Sequence, residues 1–199
     1  MANKTIITPE FTGQFPHVFE PEKNKMGGED KYVITMVFSL EDVAELKALA
    51  QEVAIEKWGK TMPSGLRSPF RNSDTPTKTG QIPAEDWGFG KGMIFVKASS
   101  KFQPGVVKKD EDGSVVEVIS PREIYGGCKF QAEVSAYAYD TAGNVGVSFY
   151  LQNLMKTADG TGEYSRKSAV SVFGGEEAVA SSEAPNANNN TSEADPFAV

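Results

Sequence analysis

Cysteine and histidine are almost missing: the chain of 199 residues has one of each, Cys128 and His17. A lone cysteine forms no internal disulfide, and Cys128 falls on the apolar side of an alternating run. It is therefore expected to be a small buried hydrophobe in a reducing compartment. Without a second histidine the usual zinc ligand sets are excluded, as are Ser/His/Asp sets beyond His17 and any neighbouring Cys/His pair. Long apolar runs are missing too. Nothing approaches membrane-spanning length, and Met1-Ala2-Asn3-Lys4-Thr5 lacks the apolar core of a signal peptide. These gaps lead to the expectation of a cytoplasmic protein with no membrane partner, no cofactor, no metal and no catalytic machinery.

Positive charge is also in deficit, with a formal net charge of −7. Its distribution matters more than its sum. From Gly175 onward the acids Glu176, Glu177, Glu183, Glu193 and Asp195 meet no Lys or Arg, so residues 1–174 hold 22 acids against 20 bases. Residues 87–109 carry Lys91, Lys97, Lys101, Lys108 and Lys109 and no acid at all. A phosphate backbone feels such a local stripe over a Debye length of about 8–10 Å rather than the total charge. The composition therefore predicts a body over 1–174 and a disordered acidic tail over 175–199.

The clearest structural signal that is present lies between residues 124 and 153. Phe130, Ala132, Val134, Ala136 and Ala138 alternate with polar or aromatic residues, as do Val145, Val147, Phe149 and Leu151, which reads as a β-hairpin with one core face. Matching Ala138 to Val145 and Ala136 to Val147 predicts a four-residue loop, Asp140-Thr141-Ala142-Gly143, with Tyr137 opposite Gly146. Tyr137, Tyr139 and Tyr150 share the other face. They serve either as half-buried strand formers or as a platform for nucleic-acid bases.

Elsewhere residues 5–20 read as extended, with Phe11, Gly13, Phe15, His17 and Phe19 on one face; Tyr32 to Phe38 and Met93 to Phe102 read as strands. In the latter, Phe95, Lys97, Ser99 and Lys101 oppose Ile94, Val96 and Ala98. Ser39 is placed as the N-cap of a single strong helix over about Leu40 to Trp58, ending at Gly59. Residues 60–92 form a long Pro/Gly-rich insertion, the kind of loop that is functional or disordered. Its Gly88, Gly90 and Gly92 match neither phosphate-loop spacing, and Asp110-Glu111-Asp112-Gly113 lacks the ligand spacing of a calcium loop.

About five short strands, one helix and long loops predict an all-β-dominated fold, an OB-fold-like five-stranded barrel. Such barrels grip single strands with a basic groove and aromatic shelves. The expected nucleic-acid-binding residues are Phe95, Phe102, Tyr137, Tyr139 and Tyr150 as rings and Lys97, Lys101 and Lys129 as phosphate holders. Phe70, Arg71, Trp87, Phe89 and Lys91 are expected to close over the strand. Two rival readings fit the same pattern: a metal-dependent nuclease using Glu85, Asp86 and Asp110, and a structural or assembly protein with a β-barrel domain.

Several motifs carry a family resemblance. Arg67-Ser68-Pro69-Phe70-Arg71, Phe102-Gln103-Pro104, Ile124-Tyr125-Gly126-Gly127-Cys128, Tyr137-Ala138-Tyr139-Asp140, Gly146-Val147 and Leu151-Gln152-Asn153 resemble those of a bacteriophage family of single-stranded-DNA-binding proteins. The similarity covers most of residues 5–174. It implies an OB-fold, sequence-independent binding of single-stranded DNA in phage replication or recombination, and a C-terminal tail that regulates binding or recruits phage or host replication proteins. Asp195 and Phe197 are the tail residues expected to meet such a partner. The oligomeric state is left open, a homo-oligomer included.

Overall fold

In the computed structural model, residues 4–24, 27–110, 112–141 and 143–160 are described. All belong to the first of two units of the chain, Met1–Arg166 and Lys167–Val199. The tail expected from residue 175, with Asp195 and Phe197, lies outside the described residues.

Alternating sequence builds nine strands among the described residues. They are β1 (Thr5–Ile7), β2 (Phe11–Glu22), β3 (Lys31–Phe38), β4 (Phe70–Asn72), β5 (Ile94–Ser100), β6 (Gly105–Lys109), β7 (Val115–Glu117), β8 (Lys129–Thr141) and β9 (Asn144–Ala158). Five of them close a ring in the order β2-β3-β5-β9-β8 and back to β2. The β5–β9 contact is parallel and the other four are antiparallel. This is the Greek-key barrel of an OB-fold, as expected, with four short strands added outside the ring: β1 on β8, β4 on β5, β6 on β9 and β7 on β6. Ile34, Met36, Val96, Ala98, Phe130, Val134, Phe149 and Leu151 fill the interior, each at most 2% exposed.

The barrel is shut by glycines. The Gly127 N–H donates to the Gly13 carbonyl at 2.8 Å and the Gly13 N–H to the Cys128 carbonyl at 2.9 Å, next to the Phe11–Phe130 pair of β2 and β8. A Cβ on Gly13 would stand 2.5 Å from the Phe130 ring, so only glycine lets the two backbones meet. Cys128 is fully buried here.

Three expectations need correction. The β8–β9 hairpin pairs Ala138 with Val147, Ala136 with Phe149 and Thr141 with Asn144. The connection is therefore two residues long, 142–143, with Gly143 at φ 79°, and it is Tyr139 that faces Gly146. A two-residue turn with positive φ matches the twist of its strands better than a four-residue loop. The helix α1 spans Ala44–Trp58. Ser39 caps only the turn before it, accepting the Asp42 N–H at 3.2 Å and donating to the Asp42 carboxylate at 2.6 Å. Leu46, Leu49, Ala50 and Ala54 pack α1 on β8 and β9, and burying each leucine is worth about 1.5–3 kcal/mol. Ile55 turns outward.

The third correction concerns the insertion over 60–92. It is knitted to the barrel by β4 and a short helix α2 (Pro83–Asp86). The Arg67 N–H donates to the Val145 carbonyl at 2.9 Å and the Val147 N–H to the Arg67 carbonyl at 3.2 Å. Buried Ser73 ties its two arms together, donating from Oγ to the Gly90 carbonyl at 2.7 Å and accepting the Met93 N–H at 3.1 Å.

Candidate nucleic-acid interface

Because Ile34, Met36, Val96 and Ala98 point inward, their neighbours must point out. The outer pairs Thr35–Lys97 and Val33–Ser99 floor a trough along β3 and β5, which Phe95 joins beside buried Val37. This is the face on which OB-folds carry oligonucleotides.

At one end stand four rings. Phe15 meets Trp87 edge-on at 5.9 Å and Phe89 at 6.0 Å, while Phe89 meets Phe95 at 5.2 Å and Trp87 meets it at 6.4 Å. Helix α2 sets two of them, since the N–H groups of Trp87 and Phe89 both donate to the Pro83 carbonyl at 3.2 Å. With Thr35, Pro69, Arg71 and Lys97 these rings line a cavity of about 330 Å³. Phe15 is the residue the alternation missed. A break in β2 pairing between Gln14 and His17 and a φ of 48° at Phe15 turn its ring outward, 51% exposed. A positive φ on a bulky residue is strained and is found where function over-determines the backbone.

At the other end a larger cavity of about 840 Å³ lies between β5 and the residues joining β2 to β3, lined by Glu22, Glu29, Lys31, Lys97 and Ser99 among others. Lys97 pairs with Glu22 at 2.9 Å, and Lys101 pairs with Glu29. The hydrogen bond and charge of Lys101 hold the Glu29 carboxyl below its ordinary range, and Glu29 in turn raises Lys101.

The flank is built by the hairpin. Tyr150 adjoins Ser99 across the parallel β5–β9 contact and stacks on Tyr137 at 4.0 Å and 20°. Tyr139 continues the row 6.3 Å from Tyr137, its hydroxyl lying where a Cβ on Gly146 would be 2.4 Å away. Glycine thus seats Tyr139 rather than opening a face of Tyr137. Tyr150 is 40% exposed and the other two rings are half-buried.

Phe95, Trp87, Phe89, Arg71 and Lys97 are therefore brought together, with Tyr150, Tyr137, Tyr139 and Lys101 alongside. Phe89 is nearly buried and forms the back of the ring group. Other expected site residues stand apart. Phe70 packs edge-on against Phe149 at 6.0 Å and seals the core, because β4 turns it inward. Lys91 faces Glu85 at 3.9 Å outside the trough, and Lys129 donates to Thr12 Oγ1 at 2.8 Å on the β8–β2 seam. Phe102, 81% exposed, lies just past β5. The carboxylates of the nuclease alternative do not converge: Asp86 accepts the Ile82 N–H at 2.6 Å, Glu85 faces Lys91, and Asp110 sits in the β6–β7 turn. Among the described residues no three His, Cys, Asp or Glu side chains form a group that could hold a metal.

Barrel order and trough together define an OB-fold with a ring- and lysine-lined open face. A sequence model of the single-stranded-DNA-binding protein of Enterobacter phage Enc34 matches residues 4–184, and the chain belongs to that family. Among solved structures it is similar to the Enc34 single-stranded DNA-binding protein in complex with single-stranded DNA, at 18% identity and a TM-score of 0.62 over 78% of this chain and 86% of that one. A further structure of the single-stranded DNA-binding protein from bacteriophage Enc34 gives 17% identity and a TM-score of 0.58, over 84% and 89%. The gp2.5 single-stranded DNA binding protein encoded by bacteriophage T7 gives 18% and 0.52, over 90% and 100%. No curated protein sequence matches.

Proposed function

We propose that the chain binds single-stranded DNA without sequence selection, coating and protecting it during phage DNA replication or recombination in the host cytoplasm, and that it performs no chemistry on the strand. The observation that carries this reading is the β3–β5 trough, with rings at one end, a tyrosine row on its flank and Lys97, Lys101 and Arg71 beside them. Bases stack on rings at about 1–3 kcal/mol each regardless of identity, and duplex DNA keeps its bases out of such contacts. Family membership supports the same ligand. Asp195 and Phe197 are assigned to a second task, docking a replication protein.

The test is fluorescence anisotropy with a labelled unstructured oligonucleotide and its duplex. Single strand is expected to bind tighter, with a log–log salt slope of about −0.7 per phosphate neutralised. Phe15→Gly, which removes a ring and relieves the backbone, is expected to weaken binding by about 5-fold or more while the melting temperature holds or rises. Duplex preferred over single strand at every salt concentration rejects the reading.

A further inference from the structure

We propose that Glu22 and Glu29 are internal stand-ins for DNA phosphates: in the free protein they hold Lys97 and Lys101, and the strand takes two phosphate subsites by displacing them. The inference rests on the trough being the single-stranded-DNA site. It adds which cations take the backbone and what occupies them beforehand.

Lys97 projects from the outer face of β5 and Lys101 follows one residue past the end of that strand, four residues on and at most about 14 Å away. Their partners come from one place. Glu22 ends β2 and reaches across β3 to Lys97, while Glu29, two residues before β3 begins, meets Lys101 just past the end of β5. Each pair is open to water, with side-chain exposures of 58% and 46% for Lys97–Glu22 and 57% and 64% for Lys101–Glu29. The Lys97 pair borders the cavity of about 840 Å³ rather than covering packed apolar surface. A brace would lie over the core; Lys97, Glu22 and Glu29 instead line this open space beside Ser99. Exposed ion pairs are weak and exchange readily. A phosphate offers the same charge and acceptor geometry as the carboxylate it replaces, and the stacked bases supply the difference in favour of DNA.

One measurable consequence is ionic. A displaced carboxylate left beside the DNA retains a salt cation, so binding by the native chain releases fewer ions than its lysines alone would cause. Removing the carboxylates restores that release.

The experiment compares the full chain with Glu22→Gln/Glu29→Gln and with Glu45→Gln/Glu56→Gln, which removes the same charge from the exposed side of α1. Anisotropy with labelled oligo-dT is read across a salt series, with a thermal melt of each protein. The trough variant is expected to bind about 2- to 20-fold tighter at low salt, with a log–log slope steeper by up to about 1.4, two lysines at about 0.7 each. The α1 variant is expected to keep the native slope. A trough variant no tighter than the α1 variant, with the native slope, overturns the inference, and so does a lowered melting temperature without tighter binding, which identifies the pairs as braces. Failure of the native chain to bind oligo-dT at any salt instead removes the single-strand reading itself.

Discussion

Tyr125, legible in the sequence only as part of a motif, takes its character from its neighbours. Its hydroxyl donates to the Asp159 carboxylate at 2.9 Å, and Lys156 stands 5.5 Å from its ring centroid and 2.6 Å from the same carboxylate. Burial first, then the bond to Asp159, pushes the phenol up from 10.0 to about 12. A raised phenol stabilises the fold fully below the unfolded value and loses that contribution as pH climbs to the folded one, so the loss falls between about pH 10 and 12. Lys101 and Lys108, raised by Glu29 and Glu123, add to the fall over the neighbouring range. The difference between native protein and Tyr125→Phe therefore isolates the phenol: urea melts are expected to show a shallower alkaline decline in the variant, and tyrosinate absorbance to lose its last-titrating step. Equal declines would mean that the bond to Asp159 does not persist in solution. Phe15 teaches the opposite lesson. Alternation assigned it to the same face as Phe11 and Gly13, and only Pro16 beside it hinted that pairing would break there.

At the scale of elements, periodicity was a good guide to faces and a poor one to register. The hairpin was expected with Ala138 against Val145 and forms with Ala138 against Val147. The slip of two residues leaves every apolar side chain on the same face, so the pattern carries no information against it. Which tyrosine sits over Gly146 depended wholly on that choice. Lys97 was legible as an outward residue of its strand, and Lys101 shares its alternation although β5 ends at Ser100, short of the expected Phe102; Glu22 and Glu29 were not legible, because their meeting with these lysines depends on strand order. The Tyr-Gly-Gly-Cys motif was conspicuous in the sequence, but its task became clear only at the β2–β8 seam, where Gly127 and Gly13 exchange close backbone contact. That seam yields a prediction. Gly13→Ala puts a methyl 2.5 Å from two atoms of the Phe130 ring, a fully buried side chain with little room to yield. Overpacking of this kind costs about 1–3 kcal/mol, to be read as a lower urea midpoint at unchanged slope. A loss below about 0.5 kcal/mol, the range of inconsequential surface changes, would show that the barrel closes without needing glycine there.

For the molecule as a whole, charge is divided unevenly along the chain, and the division bears directly on how it meets a polyanion. Residues 175–199 hold five acids and no base, so a chain ending at Gly174 changes from a net −7 to −2. If the segment acts only through its field, its repulsion of DNA reaches about 30 Å at 0.01 M salt and about 3 Å at 1 M. The shortened chain is then expected to bind oligo-dT tighter at low salt, with the advantage shrinking steadily to nothing as salt rises. If instead Phe197 and Asp195 occupy the trough, the ring contributes an apolar contact that salt does not screen, and part of the advantage survives at 1 M. Replacing Phe197 with Ala in the full chain separates the two cases: a field effect is indifferent to the ring, whereas occupation of the trough loses its salt-resistant part. The expected outcome is the first, because Lys97 and Lys101 are already held by Glu22 and Glu29, leaving a tail carboxylate the same displacement to perform as a phosphate and fewer rings to perform it with.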